Sequence, residues 1–323
     1  MRMPSRLAAG VTGLLLLGLA ATFGPLLAPP LPDADVLGAT LLPPGTSVTV
    51  VRTDDRTLVS PEVETLEGAL VVTRGRLRET IPRERVVEVA ERRLWLGSDR
   101  FGRDVLHRLL VGGRVSLLVA GLGTVVSLLL GGLVGLAAAT SGRLVDSLLM
   151  RLVDALLAFP MLFLLILVAA LVRPGPGVLV AILGLTSWMG LARLVRGQVL
   201  SLRARPFVLA ARATGTPWHR IWAWHYAPNI AAPVAQDTAL RMGDLVIAES
   251  TLSFLGLGVP PSVASWGAMV SQGHRVMLDG WWLATLPGLA IAALVISLAL
   301  VGDGIQQATS RDPLAPAPGV TVA

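Results

Sequence analysis

The sequence predicts an all-α polytopic membrane protein with six transmembrane helices and a small extracytoplasmic α/β insertion after the first helix. The 323-residue chain is 53% hydrophobic and 15% charged, with a mean hydropathy of +0.69, which is too apolar for an ordinary soluble protein. Its hydrophobic residues lie in runs of about 20 residues, the length of helix that crosses a bilayer. Its basic residues are all arginine and lie mostly between those runs, as the positive-inside rule predicts.

Residues 1–28 contain the first apolar run, with two arginines before it. We interpret them as a retained N-terminal transmembrane helix. A cleavable signal peptide has a similar pattern, because Leu19-Ala20-Ala21 offers small residues behind an apolar region. The length of the run and the spans that follow it favour the retained helix.

Residues 29–95 contain most of the acidic residues and form a soluble segment. Ser47–Arg52 and Ala69–Thr73 are short and rich in β-branched residues, which predicts strands, whereas Arg83–Leu94 resembles a charged helix. We therefore expect a small extracytoplasmic α/β insertion, with a disordered spacer as the alternative.

The core predicted for residues 115–304 contains five further spans. They are expected at residues 115–139, 148–172, 178–200, 229–255 and 281–301. Small residues that allow close helix contact occur in the second span at Gly121, Gly131, Gly132 and Gly135. Phe159-Pro160 should kink the third span, because proline interrupts the helical hydrogen bonds. Residues 305–323 form a polar tail.

Arginines outside the long segment 29–114 indicate the topology. The six-span arrangement places the following in the cytoplasm: Arg2, Arg6, Arg143, Arg151, Arg193, Arg196, Arg203, Arg205, Arg212, Arg220 and Arg311. Only Arg173 and Arg275 fall on the outer side, so both termini are predicted to be cytoplasmic. Trp281 and Trp282 open the last span and suit a belt at the membrane interface.

Residues 203–228 form a basic, aromatic-rich segment between two apolar runs. Pro206 suits the first turn of a helix, and Gly215 suits the position just past its end. Thr216-Pro217 then predicts a new N-cap and a second helix over Trp218–Tyr226. The expected structure is a helix, a glycine turn and a second helix at the membrane surface, open to a docking partner. An interfacial amphipathic segment without a partner has the same composition.

The spacing of Ala210-Ala211, Gly215 and Pro228 resembles the cytoplasmic EAA loop of permease subunits of binding-protein-dependent ABC importers. In that family the loop enters a cleft of a separate ATPase subunit. The resemblance marks the following as coupling residues: Leu209, Ala210, Ala211, Arg212, Gly215 and Pro228. Leu209 stands where the family has a glutamate, and Ala227 stands where it has a leucine.

Residues 96–114 are expected to form a periplasmic-side re-entry segment. Their spacing resembles a Gly-Thr-Asp, Gly-Arg-Asp segment of the dipeptide/oligopeptide/nickel branch of that family, with Ser98 and His107 as departures. The motif positions are Gly97, Asp99, Gly102, Arg103 and Asp104. Their alternating charges predict a turn held by local ion pairs. The resemblance continues to the C-terminus, where Gly302–Gly304 fits the boundary of the last helix.

Four ionisable residues lie within the predicted fifth span, at Asp237, Arg241, Asp244 and Glu249. Charges there are costly and should face a protein interior or a watery cavity. The first three share one helix face and form either a structural triad or part of the solute path. Glu249 is expected to be an unpaired acid near the outer mouth. In the third span, Arg151 and Asp154 are three apart and are expected to pair with each other.

Composition excludes several other classes of function. The absence of lysine rules out a P-loop, so nucleotide hydrolysis must belong to another chain. With no cysteine and four histidines, we predict neither a metal site nor a catalytic site. The pI near 11.2 is explained by membrane topology rather than nucleic-acid binding, because the arginines are spread over many loops.

The resemblance implies a type I ABC importer permease in the bacterial inner membrane. It implies a heterodimer with a second related permease, two ABC ATPase subunits that bind ATP-Mg, and an extracytoplasmic solute-binding protein, with no cofactor on this chain. It implies import of di- or oligopeptides by alternating access, with nickel or another small solute as an alternative. A stand-alone ion-coupled transporter is the competing class, but its inverted repeat is not apparent in the sequence.

Overall fold

The computed structural model describes residues 4–31, 39–66, 68–74, 77–172, 175–260 and 263–309. The predicted tail at 305–323 therefore lies mostly outside the described residues. The described helices are α1 (Ser5–Leu27), α2 (Val105–Thr140), α3 (Arg143–Leu157), α4 (Met161–Leu171), α5 (Pro176–Arg203), α6 (Pro206–Ala213), α7 (Trp218–Ile221), α8 (Ala227–Phe254), α9 (Trp266–His274) and α10 (Trp282–Thr309). The described strands are β1 (Thr46–Thr53), β2 (Thr57–Ser60), β3 (Glu62–Leu66), β4 (Ala69–Arg74), β5 (Leu77–Pro82) and β6 (Val86–Leu94).

The chain divides into two compact units. The first unit consists of Met1–Leu16, Leu118–Glu249 and Ala292–Ala323, and the second consists of Leu17–Leu117 and Ser250–Ile291. The first unit contains α3 to α7 and most of α8. The second unit contains the strands and α9.

Helix α5 packs closely against α2 in the first unit, because glycines on α2 remove the side chains that would separate the backbones. A Cβ atom at Gly131 would lie 2.7 Å from the carbonyl oxygen of Trp188, and one at Gly135 would lie 2.5 Å from that of Ala192. Gly132 meets no described heavy atom within 4 Å of the same position. Among the described residues, close helix contact is therefore found at Gly131 and Gly135 and not at Gly121 or Gly132.

Two ion pairs connect α3 to α5. Arg196 Nε donates to Asp146 Oδ1 at 2.5 Å, and its Nη2 donates to Asp146 Oδ2 at 2.7 Å. Arg193 pairs with Asp154. The predicted pair between Arg151 and Asp154 is therefore wrong, because Asp154 is paired across to α5 instead of along its own helix.

Helix α10 packs against α1 in the first unit. A Cβ atom at Gly304 would lie 2.5 Å from the backbone nitrogen of Leu7, and Arg6 Nη1 donates to Asp303 Oδ2 at 3.1 Å. Helix α10 continues to Thr309, so the predicted helix boundary at Gly302–Gly304 is wrong. These glycines serve a helix contact inside α10.

The strands of the second unit form two three-stranded antiparallel sheets, with strand orders β2-β1-β6 and β3-β4-β5. Val51 and Leu58 of the first sheet join Leu70, Val72 and Ile81 of the second in one buried cluster. β-Branched and aliphatic residues at alternating positions supply this shared core, as is usual for packed sheets. The predicted strands at 47–52 and 69–73 are confirmed.

The charged stretch Arg83–Leu94 is not a helix. Only Arg83–Arg85 form a 3₁₀ turn, and β6 pairs with β1 along its length, from Thr53 opposite Val86 to Thr46 opposite Leu94. Backbone pairing with a distant strand outweighs the local preference of the glutamate and arginine side chains, which stay exposed. Between residues 46 and 94, the described elements are therefore strands and one short turn rather than the predicted α/β mixture.

Four described helices are long and apolar enough to cross a membrane, namely α1, α2, α5 and α10. Helices α3 and α4 together qualify as a fifth span, with a bend of 80° between them that confirms the predicted kink at Phe159-Pro160. The 28-residue α8 carries the four charges of the predicted fifth span and does not meet the same test. By length and composition the described helices thus provide up to five spans.

A methyl group at Gly135 should destabilise the protein. We expect Gly135→Ala to lower stability by about 1–3 kcal/mol, because the added Cβ overpacks the contact with α5. The matched change Gly132→Ala adds the same atom in open space and should be neutral or slightly stabilising. Thermal unfolding of the detergent-solubilised protein measures both, and an equal loss in the two variants would contradict the packing argument.

Candidate functional site

The segment after α5 begins with the short helix α6, which ends in a glycine turn. The N–H of Gly215 donates to the carbonyl of Arg212 at 3.0 Å, and the N–H of Thr216 donates to the carbonyl of Ala211 at 3.0 Å. Gly215 has a φ of +73°, a left-handed conformation that favours glycine. These two bonds form a Schellman motif, so the predicted helix and glycine turn are confirmed.

The second helix differs from its prediction in how it starts and ends. Pro217 is the N-cap, and no side chain caps the helix, so Thr216 does not have the predicted capping role. After α7, one turn of π-helix covers Trp222–Tyr226, and the N–H of Ala227 donates to the carbonyl of Trp222. The chain then continues directly into α8. Pro228 therefore lies in the first turn of α8 rather than at a break between helices.

One face of this segment is anchored in the core of the first unit. Val208, Ile221 and Tyr226 are buried in a cluster with Leu191 and Val195 of α5. A hydrogen bond of 3.0 Å from Arg212 Nη2 to the Tyr226 hydroxyl joins the two helices across the turn. The turn is thus held on both sides by packing and by a polar contact.

The other face of the segment is exposed. Leu209, Trp218 and Trp224 expose 51%, 72% and 76% of their surface, a large amount for apolar side chains. Ala210, Arg212, Gly215 and Pro228 are also exposed, and Ala211 is half-buried. The structure thus presents most of the predicted coupling residues on the surface of one compact helix–turn–helix, which we call the coupling segment (residues 203–228).

The charged residues of α8 are partly brought together. Arg241 Nε donates to Asp237 Oδ2 at 2.5 Å, and Arg241 Nη1 donates to the carbonyl of Ser187 on α5 at 2.9 Å. Asp244 and Arg241 line one cavity of the first unit, but Asp244 forms no ion pair with Arg241. The predicted triad is therefore a pair plus a separate acid.

Glu249 is fully buried and has a polar partner within the chain. The prediction that Glu249 is unpaired is therefore wrong, whereas its place near an outer mouth stays a prediction. A carboxylate can be enclosed in this way only when it is hydrogen-bonded or paired.

The periplasmic-side motif is organised around the buried Asp99. Its Oδ1 accepts from the backbone N–H groups of Phe101 and Arg103 at 2.8 and 2.9 Å, and its Oδ2 lies 3.2 Å from Arg108 Nη1. Both side chains of this ion pair are almost fully buried, with 5% and 8% exposed. Arg108 Nη2 also donates to Gln272 Oε1 of α9 at 3.2 Å.

The prediction that ion pairs among Asp99, Arg103 and Asp104 hold the turn is therefore wrong. Arg103 is exposed, and its guanidinium lies over the ring of Phe101. Asp104 instead caps α2, accepting from the Leu106 N–H at 2.8 Å, and burial raises the pKa of its carboxyl. Arg108 was not among the residues predicted for this motif, because only the folded chain brings its guanidinium next to the Asp99 carboxylate.

Gly97 and Ser98 tie the same motif to the loop before β1. Gly97 has a φ of +78°, and a Cβ there would lie 2.5 Å from the carbonyl oxygen of Leu42. The Ser98 hydroxyl accepts from the Leu42 N–H at 2.8 Å and donates to the Ala39 carbonyl. Trp282 is buried and donates from Nε1 to the Ser98 carbonyl at 3.2 Å, so its predicted place in an interface belt is wrong.

Comparison with known proteins identifies the family. Residues 127–312, more than half of the chain, match the model of the binding-protein-dependent transport system inner membrane component. The chain belongs to this family. It is therefore an integral inner-membrane subunit of an ABC transporter and not an enzyme. The matched residues include the coupling segment and α8, whereas the strands lie outside them.

Curated relatives are permeases of peptide transport systems. The dipeptide permease DppC of Bacillus subtilis is 35% identical over 215 residues, which cover 66% of this chain and 67% of the relative. The oligopeptide permease OppC of Haemophilus influenzae is 37% identical over 66% of this chain and 69% of its own length. The di/tripeptide permease DppC of Pseudomonas aeruginosa is 36% identical over 69% and 73%.

A solved structure supports the predicted permease fold. The inward-facing MetNI methionine ABC transporter, in its CY5 SeMet soak crystal form, aligns with a TM-score of 0.54 at 16% identity. The alignment covers 63% of this chain and 97% of the other. The fold is therefore that of a type I ABC importer permease.

Removing Arg108 should be far more damaging than removing the neighbouring arginine of the motif. We expect Arg108→Met to destabilise the permease by about 3–5 kcal/mol, because it leaves the buried Asp99 carboxylate without its counter-charge. Arg103→Met is the matched control and should cost less than about 1 kcal/mol, because Arg103 is exposed. Thermal unfolding in detergent measures both. Similar losses would mean that the local pairing first predicted for the motif is the correct description.

Proposed function

We propose that this chain is a permease subunit of an ATP-driven importer of di- and oligopeptides. The names of its curated relatives support a peptide as the solute. Nickel, the alternative within the same branch, has less support, because no three His, Asp or Glu side chains in the described ranges come together as a metal site.

The observation that carries the coupling role is the geometry of the coupling segment. Its inner face is buried against α5, and its outer face exposes apolar and basic side chains. We propose that this outer face docks in a cleft of an ABC ATPase subunit, through Leu209, Ala210, Ala211, Arg212, Gly215 and Pro228. With Leu209 in place of a glutamate, apolar contact replaces charge pairing at that position.

The complete importer would contain a second related permease, two ATPase subunits with bound ATP-Mg, and an extracytoplasmic solute-binding protein. ATP binding would draw the two ATPases together and pull on the coupling segment. Because that segment is packed on α5, the pull would tilt the helices rather than bend the turn. The central path would then alternate between inward-facing and outward-facing states.

The proposed membrane arrangement has six spans. Helix α8 would be the fifth, with its charges facing protein or solute path, and α3 with α4 would form one broken span. The N-terminal helix (1–28) would lead to an extracytoplasmic insertion (29–95) and the periplasmic-side segment (96–114). The core (115–304) and the tail (305–323) complete the chain, with both termini in the cytoplasm.

A substitution in the turn of the coupling segment should separate ATP hydrolysis from transport. In proteoliposomes that contain the full importer, we expect Gly215→Arg to lower ATP-dependent uptake of a labelled tripeptide at least tenfold while ATP hydrolysis continues. An arginine there is strained at a φ of +73° and projects into the proposed cleft. The control Gly142→Arg adds the same charge at an open position with an ordinary φ of −68° and should transport normally.

Unchanged transport by Gly215→Arg would refute docking at this turn. Uptake by the wild-type importer without ATP would favour an ion-coupled transporter, and ATP-dependent uptake of nickel but no peptide would favour the alternative solute. In the same assay Leu209→Glu should stay within about twofold of the wild type, because it restores at this exposed position the glutamate that the family has there.

The topology can be tested by labelling, because the chain has no native cysteine. We expect a cysteine at Trp224 to react with a membrane-impermeant maleimide only from the cytoplasmic side. A cysteine at Glu64, exposed on β3, should react only from the outside. Intact spheroplasts and inverted vesicles provide the two measurements. Labelling of Trp224→Cys from the outside would rule out contact with an ATPase.

A further inference from the structure

One cavity of the first unit combines an apolar wall with charged groups of α8. Leu156, Met161 and Leu164, around the bend between α3 and α4, line one part of it, and Arg241 and Asp244 line another. A cavity with mostly apolar walls and a few polar groups is the usual form of a small-ligand site.

The guanidinium of Arg241 is engaged inside the chain through each of its three nitrogens. It bonds to both carboxylate oxygens of Asp237 and to the carbonyl of Ser187. The guanidinium occupies space that Gly190 leaves open, since a Cβ at Gly190 would lie 2.6 Å from Arg241 Nη2. The charges of Asp237 and Arg241 cancel, so this pair offers no free site for an anion.

Asp244 therefore sets the net charge of the cavity. It forms neither a hydrogen bond nor an ion pair with the residues that the structure describes. The nearby hydroxyls of Thr186 and Ser187 donate to the carbonyls of Ile182 and Leu183 on their own helix. The cavity thus presents one carboxylate beside apolar side chains and no competing internal donor.

We propose that Asp244 binds the protonated amino terminus of a peptide during its passage, with the first side chain of the peptide against the wall formed by Leu156, Met161 and Leu164. An ammonium group matches the carboxylate in charge and donates charge-assisted hydrogen bonds to it. The adjacent apolar wall suits an α-substituent better than it suits a hydrated metal ion. This inference rests on the proposed function as a peptide importer.

The test compares two peptides that differ only at the amino terminus. Trialanine and N-acetyl-trialanine are supplied with the same solute-binding protein to proteoliposomes that contain the full importer. Because the binding protein is the same in every reaction, its own preference cancels when the ratio of the two uptake rates is compared between variants.

Asp244→Asn should lower the rate for trialanine at least about tenfold, the loss expected for one charge-assisted hydrogen bond, and leave the acetylated peptide within about twofold. Asp244→Glu keeps the charge and should keep the preference. Asp279→Asn, at an exposed acid that does not line the cavity, is the matched control and should not change the ratio.

Two outcomes would overturn the inference while leaving the importer function intact. One is an unchanged ratio of the two rates in Asp244→Asn. The other is an equal loss for both peptides that Asp244→Glu does not restore, as expected if Asp244 pairs with the second permease. Absence of ATP-dependent uptake of either peptide by the wild type would instead refute the peptide importer itself, and the inference with it.

Discussion

The packing of α5 is the constraint on which the first unit depends. Its backbone lies against glycines of α2, its arginines pair with aspartates of α3, and its Ser187 carbonyl accepts from Arg241 of α8. The coupling segment is buried against the same helix. Close-packed protein interiors transmit a displacement instead of absorbing it. A force on the coupling segment therefore acts on α5 and, through it, on three other helices.

The features that sequence reasoning predicted correctly depend on a few neighbouring residues. The glycine turn after α6 needs only a residue that tolerates a positive φ, and the bend near Pro160 needs only a missing N–H. The strands at 47–52 and 69–73 follow from β-branched residues. The fold class followed from the long apolar runs, because few structures can satisfy their backbone hydrogen bonds in lipid.

The features that it missed depend on a partner far away in the chain. Arg83–Leu94 has a helical composition, but its partner is β1, about forty residues earlier. Asp154 has an arginine at the favourable helical spacing and nevertheless pairs with Arg193. Trp282 satisfies its indole N–H at Ser98 rather than at an interface. In each case the local spacing was correct, and a contact made by the fold was stronger.

In the candidate site, too, the features set by neighbouring residues were predictable and those set by distant partners were not. The surface positions of the coupling segment were predictable from its helix signals. The buried partner of Asp99 and the engagement of Arg241 with Ser187 were not, because neither partner is close in sequence. The presence of several charged residues on α8 was predictable from the sequence. Which of them forms an ion pair was not predictable.

The π-helical turn at Trp222–Tyr226 has a consequence for how the transporter can evolve. It contains one residue more than an α-helical turn, and each residue of a helix adds about 100° of rotation. Loss of that single residue would rotate Trp218 and Arg220 by about that angle around the axis while α8 kept its orientation. One insertion or deletion at this point would thus turn the exposed face of the coupling segment relative to α8, and it would also move Ile221 out of its buried contacts with α5.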